Sequence, residues 1–253
     1  MPRATRPPES GLCPHMTPIA TRLGHSGRRP RWCIALAVPF LLFLALASAR
    51  AAVPYAPDDI VSPSRRIDPD HLTAPWTDLV AELQKKGAIF ATFTENRYLP
   101  FKKIPVIFTG ELRLSPDCGL SLHYLKPEDR TMIVDALGVI LRDGSGRSRE
   151  LPADPRALAA TSALLHVMRF DFDELAKSFS TYAAGDRALW HLAFEPKDEA
   201  LSRSLSRIVV TGEGDQVRRI QLRKSGLQSI EILIGEVREG AEFTAAETKR
   251  FFR

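Results

Sequence analysis

The side chains able to do chemistry are few and poorly grouped. Past residue 51 the chain carries four histidines, His71, His123, His166 and His191, and a single cysteine, Cys118. None of the histidines stands at metal-ligand spacing with another histidine or a carboxylate on one element. A lone cysteine makes no internal disulfide and no CxxC or zinc site, so Cys118 reads as a small apolar residue. Among the carboxylates, Asp135 and Asp143 fall on strands or turns, and Asp171, Asp173 and Glu174 crowd a helix start, where negative charge suits the helix dipole. The pair that invites a reaction is Glu95 and Glu111 on neighbouring strands, which as acid and base would serve a glycoside hydrolase. A solvated sheet face carries the same residues, and there is no G-x-S-x-G, phosphate-cradling loop or Ser-x-x-Lys at a helix start. The chain therefore reads as a non-enzyme without a cofactor. An exported hydrolase of glycans or esters is the alternative, and an envelope scaffold taking a partner's peptide in an apolar groove is another.

The elements that must position these residues begin after an export signal. Residues 33–49, CIALAVPFLLFLALASA, are uncharged and apolar, follow Arg28, Arg29 and Arg31, and end in A-x-A exits at Ala49 and Ala51. That is the layout of a secretory signal over residues 1–51 with an extended basic n-region, and it predicts a periplasmic product. The chain of 253 residues has a formal net charge of +5, but residues 1–51 hold seven Arg and one Glu, which leaves the remainder at −1. No basic stripe with interleaved aromatics follows, which excludes a nucleic-acid partner. Residues 52–72 are Pro-rich and without period, a flexible arm; 73–253 suffice for one domain with its own core.

Within that domain Thr73 offers an N-cap for a helix over 74–86, with Trp76, Leu79, Val80 and Leu83 on one stripe. Alternating runs follow at 88–98, 105–114, 119–126, 130–136 and 138–143, with a short one at 147–151. Turns this short enforce a meander. Gly110 in mid-strand predicts a bend or a close backbone approach. Asp154 and Pro155 open a helix to about Val167, Asp171 opens another through Phe179, and both suit covering apolar surface. Four more strands are predicted at 187–195, 205–211, 217–223 and 228–236, then a last element over 243–252. The sheet's inner face carries Phe93, Phe108, Leu112, Leu122 and Tyr124. With Ile89, Val134, Leu158, Leu165 and Trp190 these are the predicted lining of an apolar, lipid-sized cavity. An acyl chain of about 16 carbons leaving water for such a cavity gains on the order of 10 kcal/mol.

The order of these pieces resembles the periplasmic outer-membrane lipoprotein carriers of the LolA type. The likeness is carried by IFATFTENR (89–97), FTGELRLSP (108–116), LSLHYLKPEDRTMIVDALGVILRD (120–143), the helix pair, and GLQSIEILI (226–234). The resemblance implies an α+β fold: an incomplete, unclosed antiparallel β-barrel with three helices as a lid over an apolar cavity. It implies a carrier that binds the acyl chains of a lipoprotein or another lipid or glycolipid cargo, as a monomer, and passes it from an inner-membrane exporter to an outer-membrane acceptor. The family keeps a Lys-Arg-Pro after the second strand, whose Arg holds the lid closed. Here Ser115-Pro116-Asp117 stands there, and Arg113 and Arg130 are the possible substitutes. The family's I-V-x-D-G hairpin is also altered, to Ile133-Val134-Asp135-Ala136-Leu137-Gly138, which marks a divergent branch.

Overall fold

The structure is a computed structural model that describes residues 53–151, 155–225 and 227–253, with the side chains of 155–160 and Ser225 left out. The expected signal at 1–51 and the Asp154 cap lie outside these residues. The described chain forms strands β1 (Arg66–Ile67), β2 (Ile89–Tyr98), β3 (Val106–Ser115), β4 (Gly119–Lys126), β5 (Arg130–Asp135), β6 (Gly138–Asp143) and β7 (Ser148–Glu150). Strands β8 (Phe179–Gly185), β9 (Trp190–Pro196), β10 (Arg207–Glu213), β11 (Gln216–Ser225) and β12 (Gln228–Glu239) complete the sheet. Helices are α1 (Trp76–Gln84), α2 (Pro155–Arg169), α3 (Phe172–Ser178), α4 (Glu199–Ser202) and α5 (Ala245–Phe251), with 3-10 turns at Pro63–Arg65 and Pro69–His71.

All twelve strands lie in one sheet in the order β1-β8-β9-β10-β11-β12-β2-β3-β4-β5-β6-β7. Two meanders, β2 to β7 and β8 to β12, meet where β12 pairs antiparallel with β2. The two ends, β1 and β7, do not meet, so the sheet is unclosed. Gly110 answers the expectation of a close approach. A Cβ there would stand 2.2 Å from the His123 carbonyl oxygen and 2.9 Å from the Phe93 ring, and the β3–β4 register slips beside it.

One face of the sheet holds the main core. Leu79, Val80 and Leu83 of α1, Leu164, Leu165 and Val167 of α2, and Phe172 and Leu175 of α3 are buried in one cluster with the strand residues Leu112, Leu122, Trp190 and Phe194. Besides β1, strand β8 and helix α4 were not expected. Strand β8 was hidden because both its faces are covered: Phe179 and Ala183 enter the main core while Tyr182 and Ala184 enter a second cluster, so the run loses its polar alternation. Helix α4 is a single turn capped by the Asp198 carboxylate on the Leu201 N–H.

Two further expectations are corrected. The stretch 52–72 is no free arm in its described part: Ile60 is 1% exposed against Tyr182, Ala193 and Val209, and Arg66–Ile67 pairs with β8. The four prolines interrupt a period without preventing docking. Thr73 does not cap α1 through its side chain; its carbonyl accepts from the Trp76 and Thr77 N–H groups, and Pro75 occupies the N-cap. The last element is a helix, closed by a capping box between Thr244 and Glu247.

Candidate functional site

Alternation along β2 and β3 sends Ile89 and Ala91, and Leu112 and Leu114, to the main-core face near one end of the sheet, and a register shift in β12 brings both Ile234 and Val237 to the same face. Leu83 of α1 and Met168 and Phe170 at the end of α2 close over them, leaving a cavity of about 220 Å³. That is room for roughly seven water-sized groups and falls short of the roughly 300 Å³ at which small-molecule pockets begin. Its walls are apolar and its rim is charged. Lys86 ion-pairs with Asp215 at 3.1 Å and with Glu239, and its hydrogen bond holds the Asp215 carboxyl below the usual carboxylate range. Opposite, Arg169 in the last turn of α2 donates from Nη2 to the carbonyls of Ser115 (3.2 Å) and Pro116 (2.8 Å), tying the helix end to the end of β3. Its Nε is buried without a hydrogen-bond partner. Gln84 donates to the Phe170 carbonyl at 2.8 Å, joining α1 to the same corner. Phe170 holds φ 53°, a left-handed conformation that an aromatic residue adopts only when its surroundings fix it. Here its ring packs edge-on to Trp190 with centroids 6.3 Å apart.

Of the residues predicted to line a cavity, Ile89 and Leu112 do so. Phe93, Leu122, Tyr124, Val134, Leu165 and Trp190 are buried in the core that continues from it, and Phe108 is half-buried against that core. The side chain of Leu158 lies outside the described residues. Leu114, Met168, Phe170, Ile234 and Val237 line the cavity without having been singled out. Phe170 escaped because the helix was expected to end near Val167, whereas it runs to Arg169. Those two further residues carry Arg169 to Ser115 and Pro116, the place where the sequence lacks an arginine. The basic residues in the last helical turn, His166 and Arg169, were the available signal.

Among the described residues, neither Arg113 nor Arg130 bonds to α2. Arg113 is on the opposite face, bonded to Glu111 at 2.8 Å and held between the rings of Phe251 and Phe90, 3.7 and 4.9 Å from their centroids. Arg130 lies over Phe108 and Tyr124 at 5.4 and 5.1 Å.

At the other end of β2 the main-core face carries charge. Glu95 accepts from the Tyr124 hydroxyl at 2.7 Å and pairs with Arg97, which covers Phe108 at 4.3 Å. Burial and then the Glu95 carboxylate push the Tyr124 hydroxyl far above its ordinary value, so it remains a donor. Glu111 stands opposite Thr92 and His123 on the other face, with Arg113. The two carboxylates of the hydrolase alternative therefore face away from each other across the sheet and cannot flank one glycosidic bond. Among the described residues, no group of three His, Cys, Asp or Glu side chains is placed to hold a metal ion.

Comparison with known proteins bears on this architecture. Residues 68–252 match the family described as outer membrane lipoprotein carrier protein LolA-like. No curated protein matches the chain significantly. Similar solved structures include one described as an outer membrane lipoprotein-sorting protein domain from Vibrio parahaemolyticus, at 10% identity and TM-score 0.40, covering 68% of this chain and 93% of that one. A LolA superfamily protein from Nitrosomonas europaea is 6% identical at TM-score 0.41, covering 70% and 97%. MucB from Pseudomonas aeruginosa, solved with MucA, is 17% identical at TM-score 0.39; the match covers 68% of this chain and 58% of that one.

Proposed function

Because the chain belongs to the LolA-like family of outer membrane lipoprotein carriers, we propose that it is a periplasmic carrier that binds acyl chains in its apolar cavity and conveys them across the periplasm without chemistry. The observation that carries the reading is the cavity between α1, the end of α2 and strands β2, β3 and β12, apolar inside and charged at its rim. At about 220 Å³ it admits part of a long acyl chain; full loading requires α2 to move away from the sheet. Arg169, whose bonds run from the helix to two backbone carbonyls, is the tether that such movement releases. An exporter in the inner membrane and an acceptor at the outer membrane are the partners this role calls for, with a lipoprotein or another acylated lipid as cargo and the carrier itself a monomer.

Native mass spectrometry of protein isolated from the periplasm tests the proposal, the expected result being bound lipid that extraction removes. The variant that probes the cavity without filling the core with charge is Ile89→Glu, since Ile89 is half-buried at the cavity wall. It is expected to abolish uptake of a fluorescent fatty acid while the thermal transition persists. Absence of copurified lipid together with no probe binding by the unsubstituted protein overturns the carrier reading.

A further inference from the structure

The hairpin between β2 and β3 is built unlike the rest of the surface. Six of the eight exposed large apolar side chains among the described residues, Tyr98, Phe101, Ile104, Ile107, Leu125 and Leu227, lie on it or beside it. Phe101 and Ile104 are 79% and 76% exposed, and Lys102 and Lys103 between them are exposed as well. The strand registers gather the others: Ser229 opposes Tyr98, which brings Leu227 alongside, and Lys126 opposes Thr109, which brings Leu125 and its lysine to the same end. Single exposed apolar residues are ordinary, whereas a cluster of them marks a contact surface. Glu128 and Asp129 in the neighbouring turn are the exposed acids nearby, and Asp129 is engaged by His123 at 2.9 Å.

We propose that this hairpin tip is a membrane-docking element that inserts Phe101 and Ile104 into the interface of a bilayer bearing anionic phospholipid, while Lys102, Lys103 and Lys126 meet the phosphates. The chemistry selects a bilayer over a protein partner. Two large apolar side chains on a short turn bury little area in a protein groove. They suit the headgroup–acyl boundary, where aromatic and aliphatic groups enter shallowly and lysine stems reach back to charge. Each lysine near an anionic surface adds to the attraction. The tip stands at the opposite end of β2 from the cavity, about 30 Å away for a ten-residue strand. Docking and cargo binding are therefore separable.

Flotation of the full mature protein with phosphatidylcholine vesicles, with and without phosphatidylglycerol, is the test. The protein is expected to float with the phosphatidylglycerol vesicles. Phe101→Ser with Ile104→Ser is expected to lower that partition about tenfold or more. Lys102→Glu with Lys103→Glu is expected to remove the dependence on phosphatidylglycerol, about fivefold per lysine, and to make binding insensitive to salt. Phe101→Trp supplies a second readout, a blue-shifted emission on adding vesicles. Fatty-acid probe uptake by the serine variant is expected to match the parent, so failure of docking is distinguishable from failure of the carrier reading. No flotation of the parent, flotation unchanged by the serine pair, or self-association through the tip in place of vesicle binding overturns the proposal.

Discussion

The two faces of the sheet are stabilised in different ways. The face under α1, α2 and α3 is held by apolar contacts that run from Leu79 through Leu112 to Trp190, with the Glu95–Arg97 pair confined to the hairpin end. The other face buries charge in two places, one beneath residues 53–67 and one beneath α5. Beneath residues 53–67, Arg219 approaches Glu231 at 3.0 Å, at an angle short of a hydrogen bond, donates to the Pro54 carbonyl, and lies under Tyr55. Beneath α5, Arg113 and His123 pack on Phe251, and Arg142 donates to the carbonyls of Lys249 and Phe252. Apolar contacts have no preferred direction and re-form around a guest. Buried ion pairs tolerate no such slippage, because each partner left alone is costly. The difference teaches that one face can repack while the other holds the sheet in place.

Four perturbations test that contrast. Arg219→Ala leaves Glu231 buried without its cation and is expected to cost about 3–5 kcal/mol in chemical denaturation, with probe binding per folded molecule unchanged. On the cavity face Leu112→Ala is expected to cost about 3 kcal/mol, yet to retain probe binding, because the deletion widens the space. Equal loss of probe binding in both variants would erase the distinction between the faces. Arg169→Ala removes two bonds from a half-buried guanidinium and is expected to cost about 1 kcal/mol. Its larger signature is faster probe entry and release in stopped flow, partly restored by Arg169→Lys. The smallest effect concerns His191, which bonds to Thr211 at 2.9 Å on the charged face. Burial lowers its affinity for protons, and Arg219 and then Arg65 act in the same direction. A depressed folded pKa contributes stability that is present above the unfolded value of about 6.5 and is lost as pH falls through the folded one. Stability is therefore expected to decline from pH 7 toward pH 5, and His191→Gln to flatten that slope.

Much of the fold was legible because period and turn chemistry agree. The runs from Ile89 to Asp143 alternate, end in Gly or Pro turns, and form β2 to β6 within a residue or two of expectation. Gly110 was readable for the same reason: a glycine inside such a run needs a cause, and the His123 carbonyl supplies it. What failed to show was burial on both sides. Strand β8 and residues 53–67 pack on each other, and that contact lies far apart in sequence, where no local pattern records it. The site was legible only as a face. Alternation placed Ile89 and Leu112 on it, yet the cavity's position depends on where α2 stops, and a helix end shifts by one or two residues without any change of period. The exposed apolar cluster at the turn between β2 and β3 left no local signal, because a loop's exposure is decided by what the fold leaves uncovered.

The sheet's two free margins have a consequence for life in a crowded compartment. A row of unpaired peptide groups recruits other chains, and a sheet that must remain open cannot remove its margins by closure. Here they are blunted. Strand β1 has two residues between prolines at 63 and 69, and β7 has three, all exposed and two of them charged. Neither is long enough to seed the stacking of one molecule on the next. An open sheet is thereby uncoupled from the tendency to polymerise.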